Sequence, residues 1–149
     1  MENRLFKHTL RLMTVLVVLL QPGAMFAADP YTPDGVRELI RRVETRTDEF
    51  RKVVDRWLDR SRLDGSQVED DINAEVKRFE RTTDTLRRKS ERMARYEEVR
   101  DEVRNVVDAG RRIDAMIRGG KWNKEIKSRW RNLRDAINAL GAIYKVRRI

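Results

Sequence analysis

Apolar residues recur along this chain at alternating spacings of four and three, which places them on one face of an α-helix. The first stripe predicts a helix over residues 33–63, with Thr32 as its N-cap and Pro33 at the first helical position. Gly65 follows, as a residue suited to the left-handed conformation that closes a helix. The stripe comprises Val36, Ile40, Val43, Thr47, Phe50, Val54 and Trp57.

Two further stripes predict helices over residues 67–92 and 96–118. Ser66 and Glu69 have the spacing of a capping box at the start of the first of these. The alternation slips by one residue near position 94, and we therefore expect a tight reversal at 90–96. The alternative is one helix of ~75 Å in an extended, oligomeric coiled coil. The two stripes comprise Val68, Ile72, Val76, Phe79, Thr83, Leu86, Ser90 and Met93, then Tyr96, Val99, Val103, Val106, Gly110, Ile113 and Ile117.

A fourth helix is predicted over residues 124–145, after Gly119-Gly120 ends the third and with Asn123 as N-cap. Four amphipathic helices with short connections predict an all-α, antiparallel up-down bundle. Its aromatic residues are expected in the core, with Trp122 the most exposed of them. The last stripe comprises Trp122, Ile126, Trp130, Leu133, Ile137, Leu140 and Tyr144.

Small or polar residues interrupt the stripes at Thr47, Thr83, Ser90 and Gly110. Such hydroxyls commonly bond back to their own helix, and glycine allows helices to approach closely. A wet layer or a narrow ligand cavity is the alternative.

The first 27 residues have the features of a secretory signal peptide: basic residues, the apolar run 12–20, a Pro-Gly break and small residues up to Ala27. We expect cleavage after Ala27, leaving 28–149 as one helical-bundle domain that is periplasmic or extracellular. An uncleaved N-terminal anchor is the alternative. The chain has no cysteine, which excludes disulfides and lipidation of the signal.

Charge is distributed unevenly along the chain. Residues 28–120 carry 22 basic and 22 acidic side chains, whereas 121–149 carry nine basic side chains against Glu125 and Asp135. A concentrated basic face attracts polyanions, so we predict binding to an anionic envelope polymer, a lipid surface or an acidic protein partner. The alternatives are a solvated surface or docking on a second copy. The predicted binding residues are Lys124, Lys127, Arg131, Arg134, Lys145, Arg147 and Arg148.

The chain has few side chains that could carry out catalysis or bind a metal or cofactor near neutral pH. The single histidine, His8, lies in the predicted signal, so haem, di-iron and nucleophile–histidine sites are not expected, and no metal or cofactor is predicted. The acidic run 69–71 fits the start of a helix, where carboxylates are favoured by the dipole. A two-carboxylate hydrolase stays formally open, although the acids pair with arginines at helical spacing. Nucleic-acid binding is not favoured, because no known module is present.

These observations predict a non-enzymatic protein that acts by binding. The alternative is a holdase-like periplasmic chaperone or stress-associated helper, which requires a broad exposed apolar patch.

The spacing of Trp130, Leu133, Ile137, Leu140 and Tyr144, with the run 71–73, resembles exported helical proteins of bacteria that are uncharacterised. This resemblance implies no activity and no functional residues.

Overall fold

The computed structural model describes residues 31–149, which form four α-helices. These are α1 (Pro33–Leu58), α2 (Gln67–Ser90), α3 (Arg100–Gly119) and α4 (Lys124–Ile143), with a 3-10 turn at Tyr96–Val99 leading into α3. α1 packs against α2 and α4, and α3 packs against the same two helices, so the four surround one core. The predicted bundle is confirmed. The predicted signal and its cleavage site lie outside the described residues.

Contacts between neighbouring helices show that they are antiparallel. Arg37 near the start of α1 reaches Ser90 at the end of α2, whereas Arg51 further along α1 pairs with Glu80. The ion pairs between α2 and α3, and those between α4 and α1, likewise join the later part of one helix to the earlier part of the other. One unbroken helix over 67–118 is therefore wrong.

Aromatic side chains fill the middle of the core. The Trp130 ring lies 5.6 Å from Phe50 and 6.3 Å from Phe79, measured between ring centroids. All three side chains are buried. Core packing of the aromatic stripe residues is thus confirmed for the centre of the bundle.

Trp122 closes one end of the core, and the prediction that it is partly exposed is wrong. Its exposed fraction is 7%. The ring packs 4.9 Å from that of Trp57, and Nε1 donates a 3.1 Å hydrogen bond to the carbonyl of Met116. The indole therefore packs the α3–α4 connection against α1, and its one polar atom has a hydrogen-bond partner.

The first helix ends at Leu58 rather than at residue 63. The next stripe position is Ser61, whose hydroxyl accepts a 3.0 Å hydrogen bond from the Leu63 amide and so competes with helical bonding. Val68, which the stripe assigned to the core, is 52% exposed because the shortened α1 does not cover the first turn of α2. α2 and α4 each end two residues before their predicted limits.

Side chains cap three helices at the predicted residues. Thr32 accepts from the Gly35 amide at 3.1 Å, and Asn123 accepts from the Ile126 amide at 2.8 Å. The Ser66 hydroxyl accepts from the Glu69 amide at 3.3 Å. The reciprocal half of the predicted capping box differs, because the Glu69 carboxylate accepts from the Gly65 amide at 2.6 Å instead of from Ser66.

The reversal between α2 and α3 contains no glycine or proline and is held by side chains. Arg37 donates from Nε to the Ser90 carbonyl (3.1 Å) and from Nη2 to the Met93 carbonyl (2.8 Å). The Glu98 carboxylate accepts from the amides of Ala94 and Arg95. These bonds satisfy backbone groups that a helix end otherwise leaves to water.

The hydroxyls inside the stripes bond to their own helices, as predicted. Thr47 donates to the Val43 carbonyl at 2.9 Å, and Thr83 donates to the Glu80 carbonyl at 2.8 Å. Ser90 donates to the carbonyl of Arg87 in the same way.

Candidate anion-binding groove

Four of the predicted binding residues lie on the side of α4 that faces away from α1. Arg134 lies at the edge next to α3, because its Nη1 lies 3.4 Å from the Asp114 carboxylate. Lys127, two turns before Arg134, shares that edge, and helical periodicity places Arg131 and Lys124 further round toward solvent. Among the described residues, no carboxylate lies within 4.0 Å of Lys124, Lys127 or Arg131, and all three are exposed.

The opposite edge of α4 is electrostatically balanced. Arg129 pairs with Glu49 of α1 at 2.8 Å, and Glu125 lies 3.6 Å from Arg56 of the same helix. The positive excess of α4 is therefore concentrated on the side away from α1.

Asp114 joins this basic edge to the core. Its exposed fraction is 5%, and its Oδ1 accepts a 2.9 Å hydrogen bond from Nε1 of Trp130. Oδ2 lies 3.1 Å from Nη2 of Arg118, and Oδ1 lies 3.4 Å from Arg134. A buried carboxylate is tolerated when it is both paired and hydrogen-bonded, and Asp114 meets both conditions.

α3 contributes two further arginines, Arg111 and Arg118, that the sequence reasoning missed. Arg111 pairs with Asp108, and Arg118 pairs with Asp114 one turn away on α3. The signal for them was available, because residues 111, 114 and 118 follow a 3-4 spacing immediately beside the apolar stripe of α3. Arg111 and Arg118 lie in the stretch 28–120, whose net charge is zero, so the charge count along the sequence gave no reason to single them out.

The chain after α4 turns back sharply. Lys145 has φ 56°, in the left-handed region. The Val146 amide donates to the Gly141 carbonyl at 3.0 Å, and the Lys145 amide donates to the Ala142 carbonyl at 3.1 Å. This is a Schellman arrangement in which lysine occupies the position usually taken by glycine. Lys145, a predicted binding residue, therefore has a backbone role and lies at the start of the tail.

The tail, residues 145–149, lies between α3 and α4. Arg111 donates to the carbonyl of Arg147, and the Ile149 amide donates to Oδ1 of Asn138 at 2.9 Å. A Cβ at Gly110 would stand 2.5 Å from Cδ1 of Ile149, so this glycine permits the close approach of the tail. Gly110 was predicted to let helices approach closely, whereas the segment that approaches it most closely is the tail.

Together these elements form a surface that we call the basic groove. Within it, a depression of about 550 Å³ is lined by Arg111, Asp114, Arg118, Arg147, Arg148 and Ile149. Arg147 and Arg148 have no carboxylate within 4.0 Å among the described residues. The basic groove comprises Arg111, Arg118, Lys124, Lys127, Arg131, Arg134, Arg147 and Arg148.

At the C-terminal end of α4, directly before the tail, Tyr144 is buried and donates a 2.6 Å hydrogen bond from its hydroxyl to the Tyr96 carbonyl. Burial raises the pKa of the Tyr144 phenol above its usual value, and the nearby charge of Glu97 raises it further. Tyr144 therefore anchors the end of α4 against the reversal.

Between residues 31 and 149, no three histidine, cysteine, aspartate or glutamate side chains are arranged to hold a metal ion. In the same part of the chain, no helix combines the length and apolar character needed to cross a bilayer. Comparison with protein-family models, curated proteins and solved structures finds no match for this chain.

Proposed function

We propose that this protein binds phosphate-bearing anionic lipid surfaces of the cell envelope through the basic groove. The observation that carries the proposal is a set of exposed cations along one side of the bundle that have no acidic partner within residues 31–149, chiefly Lys124, Lys127, Arg131, Arg147 and Arg148. Two acidic side chains of α3 on this side, Asp108 and Asp114, are already paired with arginines. The positive charge of this side is therefore available to an external anion.

The free energy contributed by each basic residue is small, so binding requires several cations that contact the lipid surface together. Each lysine or arginine near an anionic bilayer contributes roughly 1 kcal/mol. Lys124, Lys127 and Arg131, with the two tail arginines, would together give an affinity useful for reversible association. The predicted export of the chain would bring it into contact with envelope lipid.

The holdase alternative receives little support from the described surface. A client-binding surface needs an apolar patch of more than a few hundred Å². Among the described residues, the large apolar side chains with high exposure are Tyr31 and Val68. The remaining stripe residues are buried or partly buried in one core.

Choice of variant matters for testing the proposal. Reversing Arg134 to glutamate would set a second carboxylate beside the buried Asp114 and would destabilise the bundle. Lys124, Lys127, Arg131 and Arg148 are exposed and pair with no carboxylate in the part of the chain that the structure describes, so their neutralisation leaves the described packing intact.

The test is cosedimentation with vesicles of phosphatidylglycerol and of phosphatidylcholine. We expect the unmodified protein to bind the anionic vesicles and not the neutral ones. The groove variant Lys124→Gln, Lys127→Gln, Arg131→Gln and Arg148→Gln should lose this binding. The matched control changes two exposed arginines and two exposed lysines elsewhere: Arg42→Gln, Arg92→Gln, Lys52→Gln and Lys77→Gln.

Both variants lose the same net charge, so the comparison isolates position from total charge. Equal loss in the two variants would refute the groove as the binding surface. Equal binding of the unmodified protein to neutral vesicles would refute electrostatic recognition and would favour the chaperone alternative.

A further inference from the structure

The depression in the basic groove has features that a merely attractive surface does not need. Its cationic lining consists of arginines alone: Arg111, Arg118, Arg147 and Arg148. Arginine presents a planar set of donors that matches the oxygens of a phosphate in pairs, whereas lysine acts as a point charge. The lysines of α4 and the tail, by contrast, do not line the depression.

The two arginines supplied by α3 each have a partner. Arg118, which is exposed, pairs with Asp114, and Trp130 fixes Asp114 from the core side. Arg111 is fixed by Asp108 and by the carbonyl of Arg147. Side chains that are already ordered lose less conformational freedom when they bind a ligand.

The tail supplies the remaining positive charge, because Arg147 and Arg148 pair with no carboxylate of residues 31–149. The Ile149 side chain packs over Gly110 and its amide bonds to Asn138, which keeps Arg147 and Arg148 beside α3. Four guanidinium groups thus surround a space whose one lining acidic side chain among the described residues, Asp114, is already paired. Such a lining favours a doubly charged anion over a singly charged one.

A second depression, between α2 and α3, lacks these properties. Its Arg78 and Arg112 both pair with Glu75, and its Glu102 pairs with Lys89. Cations and anions therefore alternate there, and the lining carries no comparable excess.

We infer that the depression lined by Arg111, Arg118, Arg147 and Arg148 binds the phosphomonoester of an envelope head group. This inference rests on the proposed function and specifies its ligand. A phosphomonoester carries up to two charges near neutral pH and three oxygens that accept hydrogen bonds. A phosphodiester carries one charge and offers fewer such oxygens.

The experiment compares vesicles of phosphatidic acid and phosphatidylglycerol matched for surface charge. The unmodified protein should bind phosphatidic acid about tenfold more tightly, because each hydrogen bond to a charged group is worth ~1.5 kcal/mol or more. Arg118→Gln with Arg148→Gln should remove the preference and keep phosphatidylglycerol binding through the α4 lysines. The matched control, Arg42→Gln with Arg92→Gln, should keep the preference, and circular dichroism checks that each variant is folded.

Soluble competitors identify the source of the phosphate. Glycerol 3-phosphate and glucose 6-phosphate should each displace the protein from phosphatidic acid, while glycerol and glucose should not. Stronger displacement by glycerol 3-phosphate supports a phospholipid head group, and stronger displacement by glucose 6-phosphate supports a phosphorylated saccharide. Failure of both phosphates to compete overturns the inference.

The two proposals fail in different ways. Equal affinity for the two lipids in the unmodified protein overturns the phosphomonoester site and leaves the proposed function standing. Absence of binding to either lipid overturns both.

Discussion

The Asp114 carboxylate on α3 accepts a 2.9 Å hydrogen bond from the indole Nε1 of Trp130 on α4. The same carboxylate pairs with Arg118 and Arg134 at the surface. One buried acid therefore connects the aromatic centre of the core to the arginines of the basic groove. Both the packing between α3 and α4 and the position of the surface arginines therefore depend on Asp114.

Replacing Asp114 by asparagine tests this connection. An amide oxygen can still accept from Trp130, but the charge that holds Arg118 and Arg134 is lost. We expect the free energy of unfolding to fall by about 1–2 kcal/mol. This is at the low end of the range for hydrogen bonds to charged groups, because solvent screens the exposed Arg118. Urea unfolding measures it, and the control is Asp135→Asn, an exposed acid of α4 with no basic side chain within 4.0 Å among the described residues. Equal stability of the Asp114 variant and the unmodified protein would contradict this role.

The reversal between α2 and α3 should depend on Arg37. Arg37→Ala removes two hydrogen bonds from a charged donor to the carbonyls of Ser90 and Met93. The expected loss in unfolding free energy is about 1–3 kcal/mol. Arg37→Lys keeps the charge but cannot serve both carbonyls with the same fork of donors. An Arg37→Lys variant with full stability in denaturant unfolding would show that charge alone suffices.

Tyr144 should make stability fall at alkaline pH. The pKa of the folded phenol is raised by burial above the value of about 10 expected for the unfolded chain. The stabilisation is therefore fully present below pH ~10 and is lost as pH rises above it, because the unfolded chain ionises first. Tyr144→Phe removes the hydrogen bond and should lower the free energy of unfolding by about 1 kcal/mol at neutral pH. The difference in unfolding free energy between the two proteins should shrink above pH ~10.

The measurement for Tyr144 is urea unfolding of both proteins across the alkaline range. Tyr96, whose pKa is also raised, chiefly by the charge of Glu97, is present in both proteins, so its direct contribution largely cancels. A constant difference between the two proteins at every pH would contradict the account.

The left-handed backbone of Lys145 predicts a stabilising substitution. Lys145→Gly relieves the steric cost of a side chain at φ 56° and should raise the unfolding free energy by about 0.5–1 kcal/mol. Lys145→Ala removes the same charge but retains the Cβ, and it should bring no such gain. Thermal unfolding of both variants separates backbone conformation from charge. A gain in the alanine variant equal to that in the glycine variant would refute the explanation.

Much of the fold follows from local signals in the sequence. The 4-3 spacing of the stripes gave the number and type of helices, and Thr32, Ser66 and Asn123 marked three starts correctly. The early end of α1 was not predicted, because the effect of Ser61 depends on a single hydroxyl bond. The reversal was located by the slip in spacing, but its support by Arg37 comes from 53 residues away.

The site was only partly predictable. The charge excess of α4 was visible in the sequence, whereas the arginines of α3 were concealed within a segment of zero net charge. Arg134 appeared equivalent to Lys127 and Arg131 by spacing, yet only Arg134 reaches the buried acid. Long-range pairing of this kind depends on which helices become neighbours, and helix periodicity alone does not specify that.

The central claim is that exposed cations of the basic groove bind an anionic surface. Its most direct test is the affinity for phosphatidylglycerol vesicles between about 50 mM and about 200 mM salt, because screening weakens exposed charge interactions over this range. We predict a steep fall for the unmodified protein, the same slope for the Arg42, Lys52, Lys77 and Arg92 control, and a clearly shallower slope for the groove variant. An affinity that does not change with salt, or slopes that are identical in all three proteins, would contradict the account.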